Sequence, residues 1–293
     1  MRSEVAQVGP WKPPPAGWRA EFASASPAYD QFCPSVLQAL SAWEEFPPVA
    51  AWGAELPRGQ AASAVSFVEQ DEAAIKRAGG YDFFIRERRA VPSRRESWHD
   101  LFNALIWLHY PRLKLQIHQL QLEDFARREQ AGRRTPLGDV ATLLDECGTI
   151  VISTDPSLLD DLRALRWRRL FFDRRAELRE KVRFLVVGHA LLHALLEPYI
   201  GLMARALLVE APASALIDMT RTRSFVDAWA ATELPTRLRH TSDLYPLPLL
   251  GIPDFVANDS AAFYDGLPDY FRKRRGVRGS AGAGEREGTN PKE

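Results

Sequence analysis

Five polar side chains form the candidate site, in chain order His99, Asn103, Asp145, Glu146 and His189. Histidine and carboxylate side chains transfer protons near neutral pH and bind divalent metals through nitrogen and oxygen. The chemistry they suggest is acid/base or divalent-metal-dependent hydrolysis of a small phosphoester or an amide. A divalent metal is a candidate cofactor, and the residues leave its identity open.

His189 directly follows Gly188 at a predicted strand-to-helix junction. Side chains at such junctions are commonly presented at the end of a sheet. His193 lies one helical turn further, and His-x-x-x-His can bind zinc, but the zincin pattern needs a glutamate where Ala190 stands. A metalloprotease of that type is therefore disfavoured, and we interpret His193 as a histidine at the edge of the core.

Asp145 and Glu146 lie in the turn-like tetrapeptide Asp-Glu-Cys-Gly, between apolar runs at 140–144 and 149–153. The simplest prediction is a β-hairpin, with the two carboxylates at its turn. In a strand adjacent side chains point to opposite faces, whereas in a turn both can converge on one cation. The alternative is that Asp145 bonds its own backbone and Glu146 is solvated.

A capping box is predicted to open the helix that carries His99 and Asn103. Ser97 and Asp100 match the Ser-x-x-Asp pattern, and apolar residues follow with helical spacing. His99 and Asn103 are one turn apart at the edge of the apolar stripe, where the wall of a cleft would lie. Asp100 itself is interpreted as the capping partner of Ser97.

Other polar residues are interpreted as structural. Lys114 is predicted to be a solvated or snorkelling amine and His118 a surface histidine. The stretch from Arg166 to Arg175 interleaves arginines with aromatic side chains, which locally resembles an anion-binding surface. Acidic residues lie close by, so the prediction is an amphipathic element with ion pairs.

The pattern along the chain predicts an α+β fold, a single mixed domain with several helices, short strands and the β-hairpin. Strands are predicted at 65–69, 83–88, 184–187 and 203–209, and helices at 34–43, 71–77, 98–108, 113–128 and 189–196. Proline punctuation past Pro235 predicts an extended proline-rich C-terminal strap. Residues 1–28 are predicted to be a flexible arm that Trp11 and Trp18 can pin to the body, 29–275 one globular α+β domain and 276–293 a disordered tail.

Composition narrows the choice of partners. The 293 residues are 46% hydrophobic, and 38 basic side chains balance 38 acidic ones, so we expect no nucleic acid and no membrane partner. Cys33 and Cys147 are too few for a disulfide framework, which fits a cytoplasmic location. A small-molecule or peptide ligand is the expected partner, and the oligomeric state stays open.

Four segments carry a resemblance to a known family. They are YDFFIRERRAVPSRRESWHDLFNALIWLHYPRLK from Tyr81, RTPLGDVATLLDECG from Arg134, GHALLHALLEPY from Gly188 and PLLGIPDFVANDSAAFY from Pro248. With these segments the chain resembles the bacterial domain-of-unknown-function family 3025, and WHDLFNAL is the most specific part. The resemblance implies a bacterial cytosolic protein and supplies no reaction.

Two functional hypotheses remain. In the first, which the residues favour, the five site residues converge in one cleft of a hydrolase. In the second, the protein is a non-catalytic ligand- or protein-binding module, and an aromatic groove built from Trp98, Trp107 and Trp167 holds the ligand. Spatial convergence of the polar residues discriminates between the two.

Overall fold

The computed structural model describes residues 10–54, 65–133 and 135–272. The helices of this part are α1 (Pro34–Ser41), α2 (Ala51–Ala54), α3 (Glu72–Arg77), α4 (Tyr81–Arg88), α5 (Trp98–His109), α6 (Pro111–Ala131), α7 (Pro136–Cys147), α8 (Pro156–Arg163), α9 (Arg175–Lys181), α10 (His189–Ala194), α11 (Met219–Arg237) and α12 (Ala261–Asp265). The strands are β1 (Ser66–Glu69), β2 (Ala90–Ser93), β3 (Gly148–Ser153), β4 (Val182–Val186), β5 (Met203–Glu210) and β6 (Tyr245–Pro248). The α+β class predicted from the sequence is confirmed.

The strands form two sheets. β1 and β2 make a small parallel pair, and the larger sheet has the order β4-β3-β5-β6. β3 pairs antiparallel with β4 and parallel with β5, so that Ile150 lies opposite Leu185 on one side and Leu207 on the other. Every residue of β3 is buried, as expected for a central strand.

The predicted β-hairpin is wrong. Residues 136–147 form the helix α7, and β3 begins at once with Gly148. Pro136 occupies the first helical turn, and the buried residues Leu137, Val140, Ala141 and Leu144 recur at helical spacing. A short apolar run is compatible with either structure, and here tertiary packing selects the helix while β3 pairs with distant strands.

The predicted strand at 83–88 is also wrong, because residues 81–88 form α4. Gly79 and Gly80 have φ values of +90° and +132°, a region that side chains disfavour, and they turn the chain from α3 into α4. The strand of this region is β2, which follows α4 and was not predicted. Ser97 is the N-cap of α5 as predicted, since its Oγ accepts from the Asp100 backbone N–H at 3.3 Å.

The N-terminal segment differs from the predicted arm from about Trp18 onward. Trp18 stacks on Trp98 with ring centroids 4.7 Å apart, and Phe22 is only 1% exposed. Two short 3-10 helices, at Ala20–Ser24 and Pro27–Gln31, continue this packing. A few aromatic side chains therefore anchor a stretch whose overall composition is typical of flexible chains. Residues 1–9 and the predicted tail at 276–293 lie outside the described residues.

The proline-rich C-terminal strap lies against the larger sheet and contributes its edge strand. β6 pairs antiparallel with β5, with Met203 opposite Pro248. After β6, the buried Asn258 side chain donates to the carbonyls of Leu250 and Ile252, at 2.8 and 2.7 Å. The buried apolar residues from Phe22 to Phe271 form one cluster. No described helix is long and apolar enough to cross a membrane.

Candidate metal centre

The pairing of β3 with β4 places the end of α7 beside the start of α10. Thr149 lies opposite Val186, and the Gly188 N–H donates to the Gly148 carbonyl at 2.8 Å. A Cβ at Gly188 would lie 2.5 Å from the backbone oxygen of Glu146, closer than real Cβ contacts. Glycine at this position thus lets the side chains of Glu146 and His189 become neighbours.

Helix α5 packs against α10 and brings His99 to the same point. Glu146 Oε2 lies 3.3 Å from His99 Nε2 and 3.3 Å from His189 Nε2. The two imidazole rings meet edge to face, with centroids 4.3 Å apart. One donor atom from each residue lies within 4.8 Å of the other two. Ligands at about 2.0–2.2 Å from a tetrahedral zinc ion are separated by roughly 3.4 Å, so the three groups fit a divalent cation.

Asp100 lies behind His99 and fixes its tautomer. His99 Nδ1 is 2.9 Å from Asp100 Oδ1, and the same carboxylate accepts from the backbone N–H and the guanidinium of Arg94, each at 2.7 Å. A carboxylate can only accept, so Nδ1 carries a proton toward Asp100, and Nε2 is the atom that could bind a metal once its own proton toward Glu146 is displaced. The interpretation of Asp100 as a capping-box carboxylate is wrong, because its side chain binds Arg94 and His99 instead.

The side chain of Asp145 leaves α7 about 100° from that of Glu146, although both line the same cavity. Its carboxylate accepts from the ammonium group of Lys114, which is 4% exposed. The predicted solvated Lys114 is therefore wrong: α6 packs between α7 and α11, which turns this face inward. Asp145 Oδ1 also lies 4.0 Å from His189 Nδ1, a nitrogen without a hydrogen-bond partner.

Electrostatics at the three residues favour a proton on His99 beside an ionised Glu146. Burial lowers the pKa of His99, but hydrogen bonds to Asp100 and Glu146 outweigh it and raise that pKa to about 9. Burial would raise the pKa of Glu146, and hydrogen bonds from His189 and His99 instead hold it well below its usual range. Glu146 is thus an ionised carboxylate, and a metal would displace the proton that His99 holds against it.

All five residues predicted for the site line one cavity of about 340 Å³. His99, Glu146 and His189 present the donor atoms, while Asp145 lies behind His189. Asn103 is on the wall, where its Nδ2 lies 3.4 Å from the Tyr81 hydroxyl. The structure therefore brings the predicted residues together, and their catalytic role stays a prediction.

Comparison with known proteins places the chain in a family. The family model described as Protein of unknown function (DUF3025) matches residues 65–275. The chain belongs to this family. The matched range contains every residue of the candidate centre. Neither the curated proteins nor the solved structures gave a match to the chain.

Buried polar atoms without a partner concentrate at the same cavity in this family member. Among the described residues they are Asn103 Oδ1, His118 Nε2, Thr149 Oγ1 and His189 Nδ1. Three of these four residues line the cavity. Each such atom costs about 1–3 kcal/mol, so a cluster of them indicates a site that a ligand completes.

Residue-by-residue reasoning missed part of the cavity wall. His118, predicted to lie on the surface, is 7% exposed and lies 3.1 Å from Asp82, so that prediction is wrong. Arg94 and Tyr81 also line the cavity. Lys114 and His118 are four residues apart and share one helical face. This spacing is the sequence feature that could have indicated that both line the same surface.

The predicted aromatic groove is not formed by its three tryptophans. Trp98, Trp107 and Trp167 are 2%, 2% and 4% exposed. Of the three, Trp107 alone borders the cavity, while Trp167 lines a separate surface depression. Burial in different parts of the core leaves no shared exposed aromatic surface among them.

Proposed function

We propose that this protein is a divalent-metal-dependent hydrolase whose metal is held by His99, Glu146 and His189. The observation that supports this most strongly is the approach of two imidazole nitrogens to one carboxylate oxygen, each at 3.3 Å, at the edge of a cavity. Two histidines and one glutamate form the protein ligand set of several catalytic zinc sites, which keep a further position open for water or substrate. In this protein the open coordination position would face the cavity.

The surrounding side chains suit hydrolysis. A cation in this position supplies an activated water and polarises the bond to be broken. Asp100 orients His99 through Nδ1, and Asp145 is placed to do the same for His189 after a small movement. Lys114 and Arg94 lie on the cavity wall, where positive charge stabilises an oxyanion that forms during the reaction.

The position of the acidic pair in α7 also favours a functional role. Asp145 and Glu146 lie in the last turn of the helix, where the helix dipole disfavours negative side chains. Asp145 is compensated by Lys114, whereas Glu146 faces only the two histidines. The proton on His99 compensates Glu146 in the metal-free protein, and a bound cation would take over that role.

The test is a substrate screen with the metal-loaded protein. Zinc-, manganese- and iron-loaded samples are assayed against panels of phosphoesters, amides and esters, with Glu146→Gln as the test variant. Glu177→Gln is the matched control, because Glu177 pairs with Arg174 outside the cavity. We expect metal-dependent turnover that Glu146→Gln loses and the control keeps. Turnover that survives Glu146→Gln, or a reaction that requires iron and dioxygen, would overturn the proposal.

We also infer that the protein works in a reducing compartment, the bacterial cytoplasm. Both cysteines, Cys33 and Cys147, are free thiols. Cys147 directly follows Glu146 in α7, so its oxidation would disturb the metal centre. Cell fractionation of the source organism tests this location.

A further inference from the structure

A second histidine–carboxylate pair lines the same cavity, one turn of α6 beyond Lys114. His118 Nδ1 lies 3.1 Å from Asp82 Oδ1, which comes from α4. His118 is 7% exposed, while the Asp82 side chain is 36% exposed. Side chains four residues apart on a helix are about 5–6 Å apart at Cβ, so this pair lies near Lys114 but outside the three-residue centre.

The pair presents a hydrogen-bond acceptor to the cavity. Because the Asp82 carboxylate can only accept, the proton of the neutral His118 ring is on Nδ1, and Nε2 keeps its lone pair. That Nε2 is buried and has no partner. Asn103 Oδ1 is a second unpartnered acceptor on the wall.

The charges on the wall favour a positively charged ligand group at this end. The carboxylates that line the cavity are Asp82, Asp100, Asp145 and Glu146, and the cations are Arg94 and Lys114. Arg94 is paired with Asp100 and Lys114 with Asp145, while Glu146 faces the metal position. Among the described residues Asp82 has no Lys or Arg partner, and its ion-pair neighbour is His118. Burial and the charges of Asp145, Asp100 and Asp82 all raise the pKa of Tyr81, as expected in an acidic cavity.

We infer that His118, oriented by Asp82, binds an amino group of the substrate through Nε2 while the scissile carbonyl lies at the metal centre. The substrate class is then a small amide that carries a free amine. In the reaction one water is consumed: its oxygen bonds to the carbonyl carbon, the C–N bond breaks, and the leaving nitrogen takes a proton. This inference rests on the proposed hydrolase function and selects the amide over the phosphoester.

The experiment compares two metal-binding probes on the zinc-loaded protein by calorimetry. β-Alanine hydroxamate and butyrohydroxamate differ by an ammonium in place of a methyl group, and longer homologues of both are included to vary the span. A hydrogen bond to a charged group improves affinity by about tenfold or more, so we expect that advantage for the ammonium probe at one chain length. His118→Gln and Asp82→Asn should each remove it. His240→Gln, a histidine outside the cavity, should retain it.

The outcomes separate this inference from the proposed function. If both probes bind but the ammonium gives no advantage at any length, or its advantage survives both variants, the amine site is wrong and the metal centre stands. If inorganic phosphate binds and its affinity depends on His118, the substrate is a phosphoester and the inference is overturned. If no hydroxamate binds the zinc-loaded protein, the metal centre itself fails. Asp82→Asn remains informative if His118→Gln does not fold, because Asp82 is partly exposed.

Discussion

The carboxylates of Asp161 and Glu146 both lie among nitrogen-bearing side chains, but their surroundings differ. Asp161 is 1% exposed and accepts from Arg166, Arg169 and Arg174 at 2.9–3.1 Å, through both of its oxygens. Among the described residues Glu146 has two histidine nitrogens as its ion-pair partners, at 3.3 Å each, and it lies at a cavity. Both oxygens of Asp161 therefore have arginine partners within the protein. These contacts agree with the ion pairs predicted for 166–175.

The presence or absence of hydrogen-bond partners distinguishes a structural charge cluster from a candidate site. Buried polar atoms that all have partners stabilise the fold, whereas unpartnered ones lower stability and persist where something else binds them. No atom of the Asp161 cluster is among the unpartnered buried atoms of the described residues, while three residues of the cavity wall are.

The largest expected effect is the loss of metal binding in Glu146→Gln. The amide is a weaker ligand than the carboxylate and removes the charge that attracts the cation, so the bound metal should fall from one ion per chain to none. The free energy of unfolding of the metal-free protein should change by about 1 kcal/mol or less, because this side chain is partly exposed. Elemental analysis and denaturant titration measure the two quantities. Strong destabilisation with metal retained would show that Glu146 is structural.

Asp161→Asn should give the opposite pattern. Loss of the buried carboxylate leaves the guanidinium of Arg174, which is 14% exposed, without its deepest partner. We expect a decrease of about 2–3 kcal/mol in the free energy of unfolding, at the lower end for broken buried pairs because Arg166 and Arg169 are more than half exposed. Zinc affinity should be unchanged. An unaltered denaturation midpoint would show that the Asp161 ion pairs do not stabilise the fold.

A smaller effect is expected for Asp100→Asn, which changes the group behind His99. Loss of such a carboxylate typically weakens metal affinity by about 10–100-fold. Competition with a zinc chelator measures the affinity. The matched variant is Asp82→Asn, which also removes a carboxylate beside a histidine of the cavity but not beside a ligand, and it should retain zinc affinity. Equal losses in both variants would indicate a general effect of charge.

The smallest effect concerns His109, a histidine with both nitrogens partnered. Nδ1 is 2.8 Å from the Leu105 carbonyl, and Nε2 accepts from the Cys33 N–H at 2.9 Å. Burial lowers its pKa from 6.5 to about 4. Between these values the unfolded chain binds the proton and the folded protein does not, so stability falls as pH falls below 6.5. From pH 6.5 to 5.5 this costs about 1 kcal/mol, and His109→Gln should lose that part of the pH dependence in urea titrations. An unchanged pH dependence would show that folding does not lower the pKa of His109.

Local signals predicted part of the molecule. Ser97 as the cap of α5 and the strand β5 follow from short-range spacing, and the structure contains both. The five site residues were selected by residue type, and the structure places them around one cavity.

The remaining features depend on tertiary packing. The run at 140–144 suits a strand or a helix, and only its contacts with α6 and β5 select the helix. Lys114 and His118 face inward because α6 is packed between two helices, which spacing alone does not show. The approach of His189 to Glu146 depends on strand register and on the close contact at Gly188, and both are long-range features.

The central claim is tested most directly by a crystal structure of the zinc-loaded protein with anomalous scattering recorded at the zinc edge. The account predicts one strong peak at about 2.0–2.2 Å from His99 Nε2, His189 Nε2 and a Glu146 carboxylate oxygen, with an open position toward the cavity. Zinc bound only elsewhere, or no peak between these three residues in zinc-soaked crystals, would contradict it.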